Sequence, residues 1–395
     1  MAGERLTLAG QAAPIVTISV LAISLSMSMP LFTLLLEREG YSGTVIGLAS
    51  MAAPFAMVVL APLMPIVMRR IGLATLFAGS TLTAAASFVA IPMVDGLIAW
   101  SLLRGLWGAA TAGMFFTAEF WIVAAAPATL RGRVIALYGV VVTAAFAAGP
   151  AVILLTGDRG ALPFLTAAAI CLVALAPLAY GARAAPDPSP DSLAPRPTSA
   201  LRYLRSDPTL ILAVTLFGVI EYGGLSLFPA WALRAGFGVE SGVTLLSVFA
   251  LGAMILSLPL GWAADRVATR RLLVLAAMAC VIAPAAMAMT APAFGAAAAA
   301  MLVWGGFGAG LYTLALVGLG NRYEGQALAE ATASITLAYG VGALMAPAAM
   351  GLAMDSVLPP HGLMLGAALV AVLYAAFVIA RLTTHRREDA KGGDA

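Results

Sequence analysis

Twelve apolar runs of about 20 residues or more follow one another along the chain with little between them. They lie at about 12–36, 44–68, 72–91, 97–125, 134–156 and 161–181. The other six lie at about 208–233, 242–263, 272–290, 294–320, 327–354 and 362–381. A helix of that length crosses about 30 Å of hydrocarbon. In lipid it also satisfies every backbone donor and acceptor within its own segment. The fold class this predicts is an all-α membrane protein with twelve transmembrane helices. Composition points the same way: 62% of the 395 residues are hydrophobic and 10% are charged. Soluble domains average roughly 45–50% and 25%. The lipid bilayer is therefore the expected surrounding.

One long polar interval, residues 182–207, divides the runs six and six. Pro186, Pro188, Pro190, Pro195 and Pro197 deny it a continuous helix, and Arg183, Arg196, Arg202 and Arg205 make it basic. The two flanks resemble each other. Pairing residue n with n+196 matches Leu31-Phe32 to Leu227-Phe228, and Arg38, Gly40 and Tyr41 to Arg234, Gly236 and Phe237. Slipped by one, the same shift carries Trp107-Gly108 and Gly113 onto Trp304-Gly305 and Gly310. This predicts two pseudo-symmetric six-helix halves, 1–181 and 208–381, joined by a linker at 182–207 and followed by a tail at 382–395.

Basic residues set the expected orientation. With the N-terminus in the cytoplasm, that side carries Arg5, Arg69, Arg70, Arg131, Arg133, the linker arginines, Arg266, Arg270, Arg271, Arg322, Arg381, Arg386, Arg387 and Lys391. The other side carries Arg38, Arg159 and Arg234. Both termini and the linker are thus expected in the cytoplasm of a bacterial-type inner membrane. The first run lacks a signal-peptide cleavage site and matches the start of the second half, so it reads as a retained span. The net charge of +3 follows from this placement and is no nucleic-acid signal.

Three ionisable residues fall deep in the runs: Arg104 and Glu119 in run 4, and Glu221 in run 7. A charge at mid-bilayer costs at least about 2.5–3.5 kcal/mol, so each is expected to face the bundle interior or a watery cavity. Fifteen residues advance a helix by roughly 22 Å and return it to within about 60° of its starting azimuth. Arg104, Gly108, Thr111, Phe115 and Glu119 therefore share a face. Arg104 either joins helices or tunes an acid; Glu119 either bridges helix ends or takes part in coupling. Glu221 shares its helical face with Phe217, Gly224 and Phe228, while its repeat counterpart is Leu25. It reads either as a neutral hydrogen-bond donor or as a proton or cation site.

Other chemistry finds no motif. Cys171 and Cys280 lie in separate halves, so no disulfide framework or metal-ligand spacing is expected. His361 and His385 lie outside the runs. No nucleophile elbow and no phosphate loop occurs, so an enzyme, an ATP-driven pump and a bound cofactor are not expected.

Three motifs make the chain resemble the major facilitator superfamily. Gly261-Trp262-Ala263-Ala264-Asp265-Arg266 with Arg270-Arg271 is similar to the family's glycine-x-x-x-aspartate-arginine loop. Arg104-x-x-x-Gly108 is similar to its helix 4 arginine motif, often linked to proton coupling. Gly149-Pro150 resembles a reduced antiporter motif, with Ala136 and Ala145 where glycine is preferred. Arg104, Glu119, Arg131-Gly132-Arg133 and Tyr138 together most resemble the YcaD-like branch.

The resemblance implies alternating access, with helices 1 and 7 lining a central cavity. It also implies that Asp265 faces the start of helix 5 and gates the cytoplasmic side. In the first half Arg69 stands where that aspartate belongs, so a pairing of Arg69 with Glu324 or Glu330 is expected as an inverted latch. The expected function is a monomeric, proton-coupled exporter of a small neutral or cationic amphiphile. A metabolite uptake system or facilitative permease, and a non-transporting sensor or assembly factor, remain open alternatives.

Overall fold

A computed structural model describes residues 2–125, 131–186, 207–264, 266–323 and 325–392. Side chains are described for these except 2–11, 131–133, 135–136, 257–258, 325–326, 328–330, 332–333 and 384–392. The described residues are helical, with no strand among them, and twelve helices are long and apolar enough to span a membrane. The first six spans are Ala12–Arg38, Gly43–Ile71, Leu73–Met93, Leu97–Ala125, Leu137–Thr156 and Leu162–Ala184. Spans 7 to 12 are Pro208–Arg234, Val239–Ala264, Thr269–Thr290, Phe294–Gly320, Ser334–Ser356 and Gly362–Thr383.

Two compact units result. One holds the chain up to Tyr41 and from Leu48 through span 6; the other holds Ser42–Gly47 together with span 7 onward. Each unit repeats one packing scheme. Span 1 packs on spans 4, 5 and 6, as span 7 does on spans 10, 11 and 12. Span 3 packs on spans 4 and 6, as span 9 does on spans 10 and 12, and the pair 2–4 recurs as 8–10. Because lipid tails are as apolar as leucine, such helices are held by close packing and hydrogen bonds between them. The Ser24 hydroxyl donates to the Ala167 carbonyl at 2.9 Å between spans 1 and 6. The Tyr374 hydroxyl donates to the Thr209 carbonyl at 3.1 Å between spans 12 and 7. Trp121, Trp231 and Trp304 fill the cores.

Two spans are interrupted part-way along the regular helices that their apolar runs suggest. Span 2 carries a 3-10 turn at Ala61–Leu63, where Pro62 cannot donate to the helical ladder. Span 7 contains a π-helical segment, Val219–Gly224. Apolar periodicity carries no signal for that extra residue.

Candidate functional site

Span 7 starts at a firm cap. The Asp207 carboxylate accepts from the Thr209 backbone N–H at 3.2 Å and is ion-paired with Arg322. The helix runs regularly over Pro208–Gly218, opens into the π segment, and resumes at Leu225–Arg234. π-bulges recur at functional sites, and this one carries Glu221. The Tyr339 hydroxyl on span 11 donates to Glu221 Oε2 at 2.6 Å.

Two glycines bring those groups together. A Cβ on Gly218 would lie 2.5 Å from the Tyr339 carbonyl oxygen, and one on Gly342 would lie 2.2 Å from that of Thr215. Spans 7 and 11 therefore meet backbone to backbone, a separation that only small residues allow. Phe217 lies 5.7 Å from Tyr312 and 5.8 Å from Tyr339, ring centre to ring centre. Tyr222 lies edge-on to Tyr339 at 6.3 Å. Phe217, Glu221, Tyr312 and Tyr339 are half-buried, and Tyr222 is buried. The result is one carboxyl with a phenol donor and several ring faces. Ring faces are electron-rich, so the set suits either a proton on Glu221 or a positively charged group beside it.

Phe228 does not join this set. The π segment adds one residue to the turn, which rotates the remainder of span 7 by about 100°. Phe228 instead lies fully buried against Trp231, 5.3 Å between ring centres. An uninterrupted helix would have kept it on the Glu221 face.

Arg104 is only 3% exposed and sits within the first unit. Its Nη1 donates to the Ser28 carbonyl at 3.1 Å. Its guanidinium lies 4.7 Å from the centre of the Phe32 ring and 5.2 Å from that of Trp107. This ties span 4 to span 1 through a backbone acceptor and two aromatic faces. Farther along span 4, Phe115 is half-buried and Glu119 is exposed. The shared helical face thus holds one enclosed cation and one open carboxyl, well separated.

Of the expected gating residues, Gly149 is tightly packed. A Cβ there would lie 2.5 Å from the Ile23 carbonyl oxygen, so spans 5 and 1 touch at this point, beside the buried Pro150. Gly261 is half-buried and Arg266 is exposed, stacked 3.7 Å from the centre of the Trp262 ring. Arg69 is exposed. Asp265, Glu324 and the side chain of Glu330 lie outside the described residues, and with them both expected cytoplasmic latches.

Tyr339 is the main site residue that the sequence reading passes over. It is one tyrosine in an apolar run, and its relevance depends on the crossing of spans 7 and 11. Asp355, which accepts from the Gly43 and Thr44 backbone N–H groups, the Thr44 hydroxyl and Arg234, is likewise passed over, though Arg38 and Arg234 are repeat counterparts. A cavity of about 300 Å³ opens elsewhere, lined by Ile71, Thr75, Ser80 and Ala110 among others, and Glu221, Arg104 and Glu119 take no part in it. Among the described residues no group of three or more His, Cys, Asp or Glu could hold a metal ion.

Comparison with known proteins gives a consistent picture. A family model described as Major Facilitator Superfamily matches residues 15–323 and, in a second match, 243–395. The chain is 26% identical over 264 residues to the uncharacterized MFS-type transporter YfkF of Bacillus subtilis (strain 168), covering 66% of this chain and 67% of that one. It shares its fold with the nucleoside transporter NupG at a TM-score of 0.74 and 14% identity, covering 95% of this chain and 98% of NupG. A bacterial homologue of the human lysosomal transporter Spinster aligns at a TM-score of 0.73 and 16% identity, over 94% of this chain and 96% of its own.

Proposed function

Since the chain belongs to the major facilitator superfamily and is a multi-pass membrane transporter, we propose that it is a monomeric secondary transporter that exports a small neutral or cationic amphiphile in exchange for protons. Its two six-helix halves, 1–181 and 208–381, work by alternating access in a bacterial-type inner membrane. The linker at 182–207, the tail at 382–395 and both termini lie in the cytoplasm, where the excess of arginine belongs. Within the superfamily it falls in the YcaD-like branch.

The observation that carries this reading is Glu221. It is a half-buried carboxyl in the π segment of a largely apolar span, hydrogen-bonded to Tyr339, whose ring packs against Phe217 and Tyr222. A group of this kind is costly in lipid and is characteristic of substrate and proton pathways. Glu221 carries the proton, or the positive charge of the substrate, and the rings receive the apolar body. Arg104 holds spans 1 and 4 in register during the same cycle, and Phe115 and Glu119 line the first unit's part of the path.

The test uses purified protein in proteoliposomes, an imposed pH gradient, and ethidium as a cationic amphiphilic probe. Glu221→Gln keeps shape and polarity while removing the charge. It should abolish the gradient-driven flux while the protein still elutes as a folded species. Undiminished gradient-driven flux in that variant overturns the proposal. Flux of an uncharged solute down its own gradient, indifferent to pH, would instead indicate a facilitative permease for a metabolite. No flux of any solute would favour a sensor or assembly factor.

A further inference from the structure

The cavity of about 300 Å³ lies wholly within the first unit, apart from Glu221 and Arg104. Span 3 supplies most of its lining, with Thr75, Gly79 and Thr83 recurring every four residues along one helical face. Ala109 and Ala110 of span 4 form the other wall, and Ile71, the last residue of span 2, stands at one end. The floor is tight: a Cβ on Gly113 of span 4 would lie 2.2 Å from the Ser80 hydroxyl oxygen of span 3. The wall above is open, because a Cβ on Gly79 would meet nothing within 4 Å. Two closely packed helices with small residues along their shared edge thus leave a groove, and its Ile71, Thr75 and Gly79 are exposed.

The two ends of the groove differ in chemistry. Arg69 and Arg70 immediately precede Ile71, and both are exposed. Gly72, at a φ of 84°, makes the turn that starts span 3 directly after them. Two guanidiniums at one end favour a phosphate, which matches their planar fork. At the other end Thr83 donates its hydroxyl to the Gly79 carbonyl at 2.8 Å, so its donor is already used. From Thr75 to Thr83 span 3 covers about 12 Å, within the roughly 15 Å of hydrocarbon in one leaflet. An exposed groove at that depth meets acyl chains rather than water.

We propose that this groove binds one anionic phospholipid, with its phosphate at Arg69 and Arg70 and one acyl chain lying along Thr75, Gly79 and Thr83. The arginines recognise the charge, because basic groups beside a membrane surface attract anionic headgroups. The groove recognises the chain, because close packing is what holds apolar partners together in lipid. Charge and shape are thus read by separate residues and can be removed separately. Glu221, the direction of transport and its coupling play no part.

The test titrates the purified, delipidated protein in detergent with phosphatidylglycerol or with phosphatidylcholine of the same chains. Native mass spectrometry reads the lipid-bound species. The parent protein should bind one phosphatidylglycerol roughly twentyfold more tightly than phosphatidylcholine, at about fivefold for each arginine. Arg69→Gln with Arg70→Gln should remove that preference, and either change alone should lower it about fivefold. Should the double variant fail to fold, the single ones carry the charge arm. Gly79→Leu fills the groove without a clash and should weaken both lipids several-fold. Its thermal midpoint should stay at or above the parental value, since leucine is the better helix former. Gly295→Leu in span 10, where a Cβ also meets nothing within 4 Å, is the control and should bind as the parent does. No preference between the two lipids in the parent, or unchanged binding in Gly79→Leu, overturns the proposal. Displacement of the lipid by inorganic phosphate would leave the arginines as a headgroup site alone, and displacement by ethidium would give the groove to a transported amphiphile. Either result also overturns it. Lipid binding needs no flux, so a failed transport assay leaves this result standing.

Discussion

Spans 1 and 7 are repeat counterparts that end in corresponding arginines, yet the two arginines are used differently. Arg38 is ion-paired with Asp158 and donates to the Asp158 carbonyl at 2.8 Å. Arg234 pairs with Asp355 at 3.0 Å. A shift of 196 carries the first arginine onto the second, and a shift of 197 carries the first aspartate onto the second. Both pairs join the end of one span to the end of the span four further on. Only the second aspartate also caps span 2, through Gly43 and Thr44. Glu240 stands where the repeat would put Thr44, and a carboxylate offers no hydroxyl to another carboxylate.

The same two spans differ in mid-membrane. Leu25 is 2% exposed in a continuous helix, whereas its counterpart Glu221 lies in the π segment of span 7 and accepts from Tyr339. Span 1 instead meets an ionisable group carried by span 4, where Arg104 bonds Ser28. The duplicated scaffold thus keeps one packing scheme while each half places its ionisable group in a different span. Packing is set by small and apolar residues that both halves share. A single polar substitution can then change one half without disturbing the other.

Three substitutions sharpen that comparison, taken from the largest effect to the smallest. Arg104→Ala removes the cation that joins span 1 to span 4 and leaves the Ser28 carbonyl and two ring faces unmatched. A loss of about 3 kcal/mol or more is expected, seen as a lower thermal midpoint in detergent, and Arg104→Lys should recover only part of it. If the midpoint holds while the pH profile of transport moves, Arg104 belongs with Glu221 in coupling. Tyr339→Phe keeps the ring and removes the donor to Glu221. It should cost about 0.5–1.5 kcal/mol, a two- to tenfold weaker apparent affinity for ethidium in proteoliposomes. An unchanged affinity would detach span 11 from the site. Arg38→Gln breaks the partly exposed pair in the first unit. Its effect on stability should stay within about 1 kcal/mol, read as the thermal midpoint in detergent. A loss as large as that caused by Arg234→Gln would make the two ends equivalent and remove the asymmetry.

Some of the candidate site could be read from the chain alone. Glu221 declares itself because a carboxyl in an apolar run is costly, and Arg104 does so for the same reason. Their partners do not. The Glu221–Tyr339 bond spans 118 residues and the Gly43–Asp355 bond spans 312, and neither partner is unusual in its own neighbourhood. Phe228 shows the limit in the other direction. Regular helical periodicity puts it beside Glu221, and one added residue in the turn sends it into the core.

What the sequence determined by itself was the set of twelve apolar spans, with a proline-rich interval after the sixth. These follow from local physics: lipid requires each segment to satisfy its own backbone, and about 20 apolar residues suffice to do so. Which polar groups meet was decided only in the tertiary structure. Helices in lipid settle wherever their backbones can approach most closely, here at Gly218 and Gly342 and at Gly43 and Gly351. The depth and rotation at which each pair crosses then select the side chains that touch. Those crossings bring Tyr339 to Glu221 and Asp355 to the start of span 2.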